Sequence, residues 1–286
     1  MTLAELYKFV KEKLEKAGAD SPAFEAIWLI NAVFPFDRLS LIADADMCVA
    51  PELSEGVLSL VKRREAGEPI QYITGEWEFF GRRYFVGKGV LIPRDDTEVV
   101  LTCTFPYLDE LKNKDNFRIL DLCSGSGIIA ISLKLRYPEA QVTAVELSDE
   151  ALPYLEKNCR EHNADIRIIH DDIFNCVDTF LDGEFDLIIS NPPYITDEDM
   201  EALQKEVQFE PAMALAGGAD GLDFYRRIIP LYTRKLKKGG MLAFEYDGEQ
   251  SDIIASIMIR YGFENITVFD DIGGVHRAIN GTLHNE

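Results

Sequence analysis

Short apolar runs alternating with helical spacing constrain this chain more than any other feature in it. Arg118–Leu122, Val142–Glu146, Ile166–His170 and Phe185–Ser190 read as strands, followed by Met241–Glu245, Ile266–Phe269 and a last one near His276–Asn280. Helical spacing falls between them, near Ile128–Tyr137, Glu150–Asn163, Glu198–Val207, Phe224–Leu236 and Ser251–Tyr261. Short apolar strands with helices between them need cover on both faces. The pattern therefore predicts an α/β domain built on a mostly parallel sheet between helices. Its crossovers are right-handed, and ligands bind at the carboxyl ends of the strands near the switch point. The last two strands are close enough in sequence for one of them to run antiparallel.

Two other patterns come first. From Met1 to about Thr74 apolar residues recur at helical spacing: Leu3, Leu6, Tyr7, Val10 and Leu14, then Phe24, Ile27, Trp28 and Ile30, then Val57, Leu58 and Val61. Gly18 is expected to end the first helix, and Ser21-Pro22 to cap and start the next. Residues 1–75 thus predict a small helical domain. From Glu76 to Pro93 the period drops to two, and Trp77–Phe80, Gly81-Arg82 and Arg83–Val86 read as a hairpin. Residues 76–93 are the expected linker. Asp96-Thr97-Glu98 opens a helix to about Leu111, with Asp96 or Thr97 as cap, and residues 94–286 make the last domain.

Composition narrows the partners. Fifty Asp and Glu against 29 Lys and Arg give a net charge of -21, which repels a polyphosphate backbone unless a local basic face compensates. Lys62-Arg63-Arg64 and Arg234–Lys238 are the short basic clusters, and both read as solvated helix faces. The five cysteines (Cys48, Cys103, Cys123, Cys159, Cys176) contain no C-x-x-C pair, and the histidines lie far apart, so no structural metal is expected. Charges scattered through the first 20 residues argue against a secretory leader. No run approaches the ~18 apolar residues of a membrane span. The expectation is a soluble cytoplasmic protein with no membrane attachment and no stable nucleic-acid binding.

Asp121-Leu-Cys123-Ser124-Gly125-Ser126-Gly127 follows the first strand of the sheet and opens a helix. Gly125 and Gly127 let the backbone approach a ligand, and the helix amides beyond them offer donors to an anionic group. The second strand ends in Glu146, where an acid accepts hydrogen bonds from ribose hydroxyls. The third runs into Asp171-Asp172-Ile173, where a carboxylate suits an adenine amino group and Ile173 suits its ring. Three such features at successive strand ends fit an adenosine-containing cofactor. Ala130 stands at the third position of the G-x-G-x-x-G/A pattern, so a dinucleotide stays possible on these residues.

The fourth strand runs straight into Asn191-Pro192-Pro193-Tyr194. The prolines cannot donate to a ladder, so the strand stops there and its loop stiffens. The Asn191 side-chain oxygen and the Pro192 carbonyl can both accept from one NH2 group. That fixes the amine and favours a lone pair on its nitrogen. Tyr194 can offer a face to a planar amide or base. Two aimed acceptors beside an electrophilic methyl would catalyse by positioning and electrostatics.

The set Asp121–Gly127, Glu146, Asp172 and Asn191–Tyr194 resembles the class I S-adenosylmethionine methyltransferases that act on planar nitrogens. Pro69-Ile-Gln71-Tyr72-Ile-Thr-Gly75, Leu91-Ile-Pro93-Arg94-Asp-Asp-Thr97-Glu98, Gly217-Gly218-Ala-Asp220-Gly221-Leu222-Asp223-Phe-Tyr225 and Gly239-Gly240 with Glu245 and Gln250 are similar to the HemK/PrmC family. That family comprises the protein-(glutamine-N5) methyltransferases of peptide-chain release factors. The resemblance implies a Rossmann-like seven-stranded class I methyltransferase domain with an N-terminal helical domain and a β-hairpin linker. It implies methyl transfer from S-adenosylmethionine to the glutamine of the Gly-Gly-Gln loop of class I release factors, with S-adenosylhomocysteine as product; a monomer is expected. Carried over, Cys123, Ser124, Gly125, Ser126 and Gly127 line the methionine part of the cofactor. Glu146 takes the ribose, Asp172 and Ile173 the adenine, and Asn191, Pro192, Pro193 and Tyr194 the glutamine amide, with Asn191 also beside the cofactor.

The chain departs from that pattern at Cys123 for Gly, Glu146 for Asp and Asp95 for Pro. The helical domain is expected to recognise the protein substrate. An adenine-N6 methyltransferase shares the Asn-Pro-Pro-Tyr tetrapeptide and is the first alternative. A non-catalytic release-factor-binding protein stabilised by the cofactor is the second.

Overall fold

The computed structural model describes residues 1–112 and 116–284. The chain forms two compact units: Met1–Glu76 with Gln204–Phe209, and Trp77–Leu203 with the chain from Glu210 onward.

The first unit holds helices α1 (Leu3–Ala17), α2 (Pro22–Asn31), α3 (Arg38–Ala43), α4 (Pro51–Glu65) and α5 (Ile70–Thr74). A capping box starts α1: the Thr2 hydroxyl accepts from Glu5 N, and the Glu5 carboxylate accepts from Thr2 N. Gly18 closes it at φ 82°, a left-handed value that suits glycine. Ser21 stands at the cap of α2 without a side-chain bond, and Pro22 fills the first turn. Leu3, Leu6, Val10 and Leu14 are the buried stripe of α1. The buried Arg64 guanidinium forks onto Glu25 (2.6 and 3.0 Å) and reaches Glu206 at 2.5 Å. These charge-assisted bonds hold residues 204–209 to the helices.

The second unit opens one residue into the hairpin of β1 (Glu76–Phe79) and β2 (Arg82–Phe85), then holds α6 (Thr97–Thr102) and α7 (Phe105–Leu111). There follow β3 (Arg118–Leu122), α8 (Ile128–Arg136), β4 (Gln141–Glu146), α9 (Leu152–Glu161), β5 (Ile166–His170), β6 (Phe185–Ser190) and α10 (Asp197–Glu201). The chain ends with α11 (Asp223–Tyr232), β7 (Leu236–Glu245), α12 (Ser251–Arg260), β8 (Phe263–Asp270) and β9 (His276–Leu283). The hairpin packs into this unit. Phe79 and Tyr84 lie in its core, and Asn158 bridges both backbone groups of Phe85 to the Ser126 carbonyl.

Seven strands form one sheet in the order β5-β4-β3-β6-β7-β9-β8, with β9 antiparallel to both neighbours. Ile119, Leu187 and Ile189 face one core while Leu120, Leu122 and Ile188 face the other. That alternation of faces explains why every residue of β6 is buried. Strand order reverses between β3 and β6, so the loops after these two strands flank the switch point.

Three helix boundaries differ from the sequence reading. The helix expected from Asp96 to Leu111 is two, α6 and α7, because Pro106 lies in a first turn and Thr104 Oγ1 bonds back to the Leu101 carbonyl. The helix expected over Glu198–Val207 stops at Glu201, and the chain beyond it joins the first unit. The helix expected to reach Leu236 ends at Tyr232, and Leu236 already belongs to β7.

Candidate active site

Strand register aligns the chemistry. Leu122 pairs with Val145 on one side and Ser190 on the other, Glu146 pairs with His170, and Ser190 pairs with Phe244. The carboxyl edge of the sheet therefore presents, in order, the Asp171-Asp172 turn, Glu146, Cys123, Asn191 and Glu245. A cavity of about 300 Å³ opens there. It is lined by Cys123, Ser124, Gly125, Ser126, Glu146, Asp172, Ile173, Asn191 and Pro193. Gly127, Pro192 and Tyr194 are not among its lining residues.

The first loop is bent for close approach. Cys123, Gly125 and Gly127 have φ of 60°, 55° and 84°. Left-handed backbone at a residue with a Cβ costs ~1–2 kcal/mol, so Cys123 stores strain that glycine would not. A Cβ on Gly127 would meet Leu155 at 2.5 Å, whereas one on Gly125 would find only Val90 at 4.0 Å. Open space at Gly125 leaves the backbone accessible from the cavity. Burial holds the Cys123 thiol protonated, with Glu146 adding to the effect, so it is no nucleophile.

Glu146 clamps this loop. Its two oxygens accept from Gly125 N at 2.6 Å and Ser148 N at 2.7 Å. Each oxygen keeps a lone pair for a hydroxyl. Asp172 Oδ1 accepts from Phe174 N at 2.8 Å. Burial pushes the Asp121 carboxyl up to about 8, helped by Glu146 and opposed by Ser124 and the Ala130 amide. Asp121 Oδ1 has no hydrogen-bond partner.

The second loop is strapped from behind. Asn191 Nδ2 donates to Thr97 Oγ1 at 3.2 Å, which turns the amide oxygen away from Thr97. The Tyr194 hydroxyl donates to Glu245 Oε1 at 3.3 Å, and the Tyr194 carbonyl accepts from Gln250 Nε2 at 3.0 Å. Ile195 bridges to Ala216, and Gly217 N donates to the Ile195 carbonyl at 2.8 Å. A Cβ on Gly217 would sit 2.7 Å from Tyr194 Cα. Gly217→Ala must therefore push the 191–195 backbone. Misplacement on the ångström scale costs ~100-fold in rate, so we expect a loss of that size in kcat with cofactor affinity kept. Titration calorimetry beside single-turnover assays checks both.

Sequence reading missed much of the wall. Ile92, Pro93 and Thr97 line one side, and Phe174, Phe224 and Arg227 another. Arg227 stacks on the Phe174 ring at 3.3 Å, and Phe174 lies 5.7 Å from Phe224. Glu210, also unforeseen, is buried and accepts from Ile92 N at 2.9 Å while pairing with Arg94. Glu245 did carry a signal in the sequence, since it ends a strand as Glu146 does.

Two family models match: the PrmC N-terminal domain over residues 5–75 and the Methyltransferase small domain over 102–218. A release factor glutamine methyltransferase of Geobacter sulfurreducens is 36% identical, covering 99% of this chain and 97% of its own. One from Clostridium botulinum is 35% identical over 93% and 94%. The chain belongs to the release factor glutamine methyltransferase family. The hMettl16 catalytic domain in complex with MAT2A 3'UTR hairpin 1 shares the fold at a TM-score of 0.54 and 12% identity, over 82% of each chain.

A member of the release factor glutamine methyltransferase family uses S-adenosylmethionine, and the cavity fits it. Glu146 and Asp172 line the wall. Carboxylates so placed would repel a pyrophosphate and attract a cation. This disfavours the dinucleotide that the glycine spacing left open. Among the described residues no cluster of His, Cys, Asp and Glu could hold a metal ion, and no helix is long and apolar enough to cross a membrane.

Proposed function

We propose that the protein methylates the side-chain amide nitrogen of the glutamine in the Gly-Gly-Gln loop of class I peptide-chain release factors. The observation that carries this reading is the Asn191 amide, oriented by Thr97 with its oxygen left free at the cavity wall. S-adenosylmethionine supplies a methyl group on a positively charged sulfur. Glu146 holds its ribose, Asp172 and Ile173 its adenine, and the Cys123–Gly127 backbone its methionine end.

Asn191 Oδ1 and the Pro192 carbonyl accept the two protons of the glutamine amide. An amide nitrogen is planar and a poor nucleophile. Two acceptors that pull on its protons weaken its conjugation with the carbonyl and fix its direction of approach. Pro193 stiffens the loop, and Tyr194 anchors it through Glu245. The nitrogen sheds its proton after methyl transfer, when it is acidic, so no strong base need sit beside Asn191.

The helical unit, whose residues 5–75 match the PrmC N-terminal model, recognises the release factor. A glutamine pocket alone cannot select one protein. The enzyme works as a cytoplasmic monomer without stable nucleic-acid binding. Its charge of -21 supports this, as do basic clusters already neutralised by pairs such as Arg64–Glu25, Arg234–Asp178 and Lys235–Asp182. Tritiated methyl donor incubated with release factor should label it. The same factor with its loop glutamine replaced should stay unlabelled, as should RNA and DNA. Label in nucleic acid, or in the glutamine-replaced factor, would overturn the reading.

A further inference from the structure

Glu245 lies at the active edge, where it anchors Tyr194. Ser190 pairs with Phe244 across β6 and β7, so the next residues, Asn191 and Glu245, are neighbours where the strands end. The Glu245 side chain is fully buried. Its Oε1 accepts from Tyr194, its Oε2 has no hydrogen-bond partner, and the Thr97 hydroxyl is near enough to the carboxyl to favour its ionised form. Thr97 is itself buried and accepts from Asn191 Nδ2. Tyr225 Oη fixes the Glu245 backbone by donating to its carbonyl at 2.7 Å.

A hydroxyl has one proton and an ionised carboxylate has none. If the Thr97 hydroxyl donates its one hydrogen bond to Glu245, its oxygen can only accept from Asn191. Asn191 must then present NH2 to Thr97 and its oxygen to the cavity. If Glu245 is neutral it can donate instead, and Thr97 is released to donate to Asn191 Oδ1. The amide then turns over and offers NH2 to an incoming NH2. We propose that Glu245 is the positioning residue that sets, through Thr97, which face of the Asn191 amide meets the substrate. This rests on the methyl-transfer reading above and deepens it: the site selects for a hydrogen-bond donor only while the relay runs toward Glu245.

Ionisation of Glu245 has a working window. Burial pushes the carboxyl up to about 7; Thr97, Tyr194 and Arg277 lower it, and Asp96 raises it. Arg277 is itself shared among Asp96, Asp247 and Asp271. The carboxylate form, and with it the correct amide direction, is therefore lost as pH falls through about 7.

The test uses the full chain with release factor as methyl acceptor. Glu245→Gln and Thr97→Val should each lower kcat by about 10- to 100-fold, as loss of an orienting partner does, with donor affinity within a few-fold of wild type. The double variant should lose no more than the worse single, because both break one relay. Thr97→Ser should restore activity to within about threefold, since it keeps the hydroxyl. The acid limb of kcat/KM in wild type should vanish in Glu245→Gln. Additive losses, a Thr97→Ser enzyme as poor as Thr97→Val, or an unchanged acid limb would overturn the proposal.

A readout without substrate keeps the two claims apart. NMR of the Asn191 side-chain amide, recorded well above pH 7 where Glu245 is ionised, should show one orientation in wild type and two in Glu245→Gln. A single unchanged orientation would refute the relay even if methyl transfer stands. A wild type that shows one orientation but never labels release factor would refute the substrate reading and leave the relay supported.

Discussion

Asn191→Ala should lower kcat by about 10²–10³, the usual cost of deleting one aimed polar contact at the reacting group. The Kd for S-adenosylmethionine should stay within a few-fold. The two effects should separate because the acids at the β4 and β5 ends, not Asn191, are proposed to carry the adenosine. Pro192 still offers its carbonyl in the variant, so one acceptor remains and the glutamine can bind. What it loses is the second anchor, and with it a fixed nitrogen lone pair. Rapid-quench measurement of methyl transfer, beside calorimetry of donor binding, reads both quantities. Near-normal turnover would remove Asn191 from the mechanism.

Glu146→Ala should show the opposite split. The side chain accepts from Gly125 N and Ser148 N, and it is the residue proposed to hold the ribose. Hydrogen bonds to a charged group contribute ~1.5–3 kcal/mol each, so losing the ribose contact and loosening the glycine loop together should cost about 3 kcal/mol. That is ~100-fold in donor affinity. Turnover at saturating donor should fall far less, since Asn191 and Thr97 are untouched. Glu146→Gln keeps one acceptor but sets an NH2 against a backbone N–H, and should fall between. Donor affinity unchanged in Glu146→Ala would show that the strand-end acid does not hold the cofactor.

Much of the architecture was legible because the strands are short, apolar and separated by helices. Period and spacing predict a parallel sheet, and the family resemblance its seven strands. The residues placed directly at strand ends, Cys123, Glu146 and Asn191, were legible for the same reason: a strand end is also a sheet edge. Thr97 and Arg227 were not, because each reaches the cavity from a helix distant in sequence; nor was Glu210, which holds Ile92 N from a distant loop. Nothing local announces such a contact. Helix ends failed where prolines or tertiary ion pairs overrode periodicity, as at Pro106 and in the segment carrying Glu206. Cys123 shows the converse. Its departure from glycine was visible, but only the backbone reveals that it sits at φ 60° and bears the strain.

A crystal structure with a non-reactive donor analogue and a Gly-Gly-Gln peptide would examine the proposed geometry most directly. The glutamine nitrogen should lie ~3 Å from both Asn191 Oδ1 and the Pro192 carbonyl, in line with the bond to the transferable carbon. A peptide whose glutamine is held elsewhere, or a donor whose transferable carbon points away from residues 191–194, would contradict it.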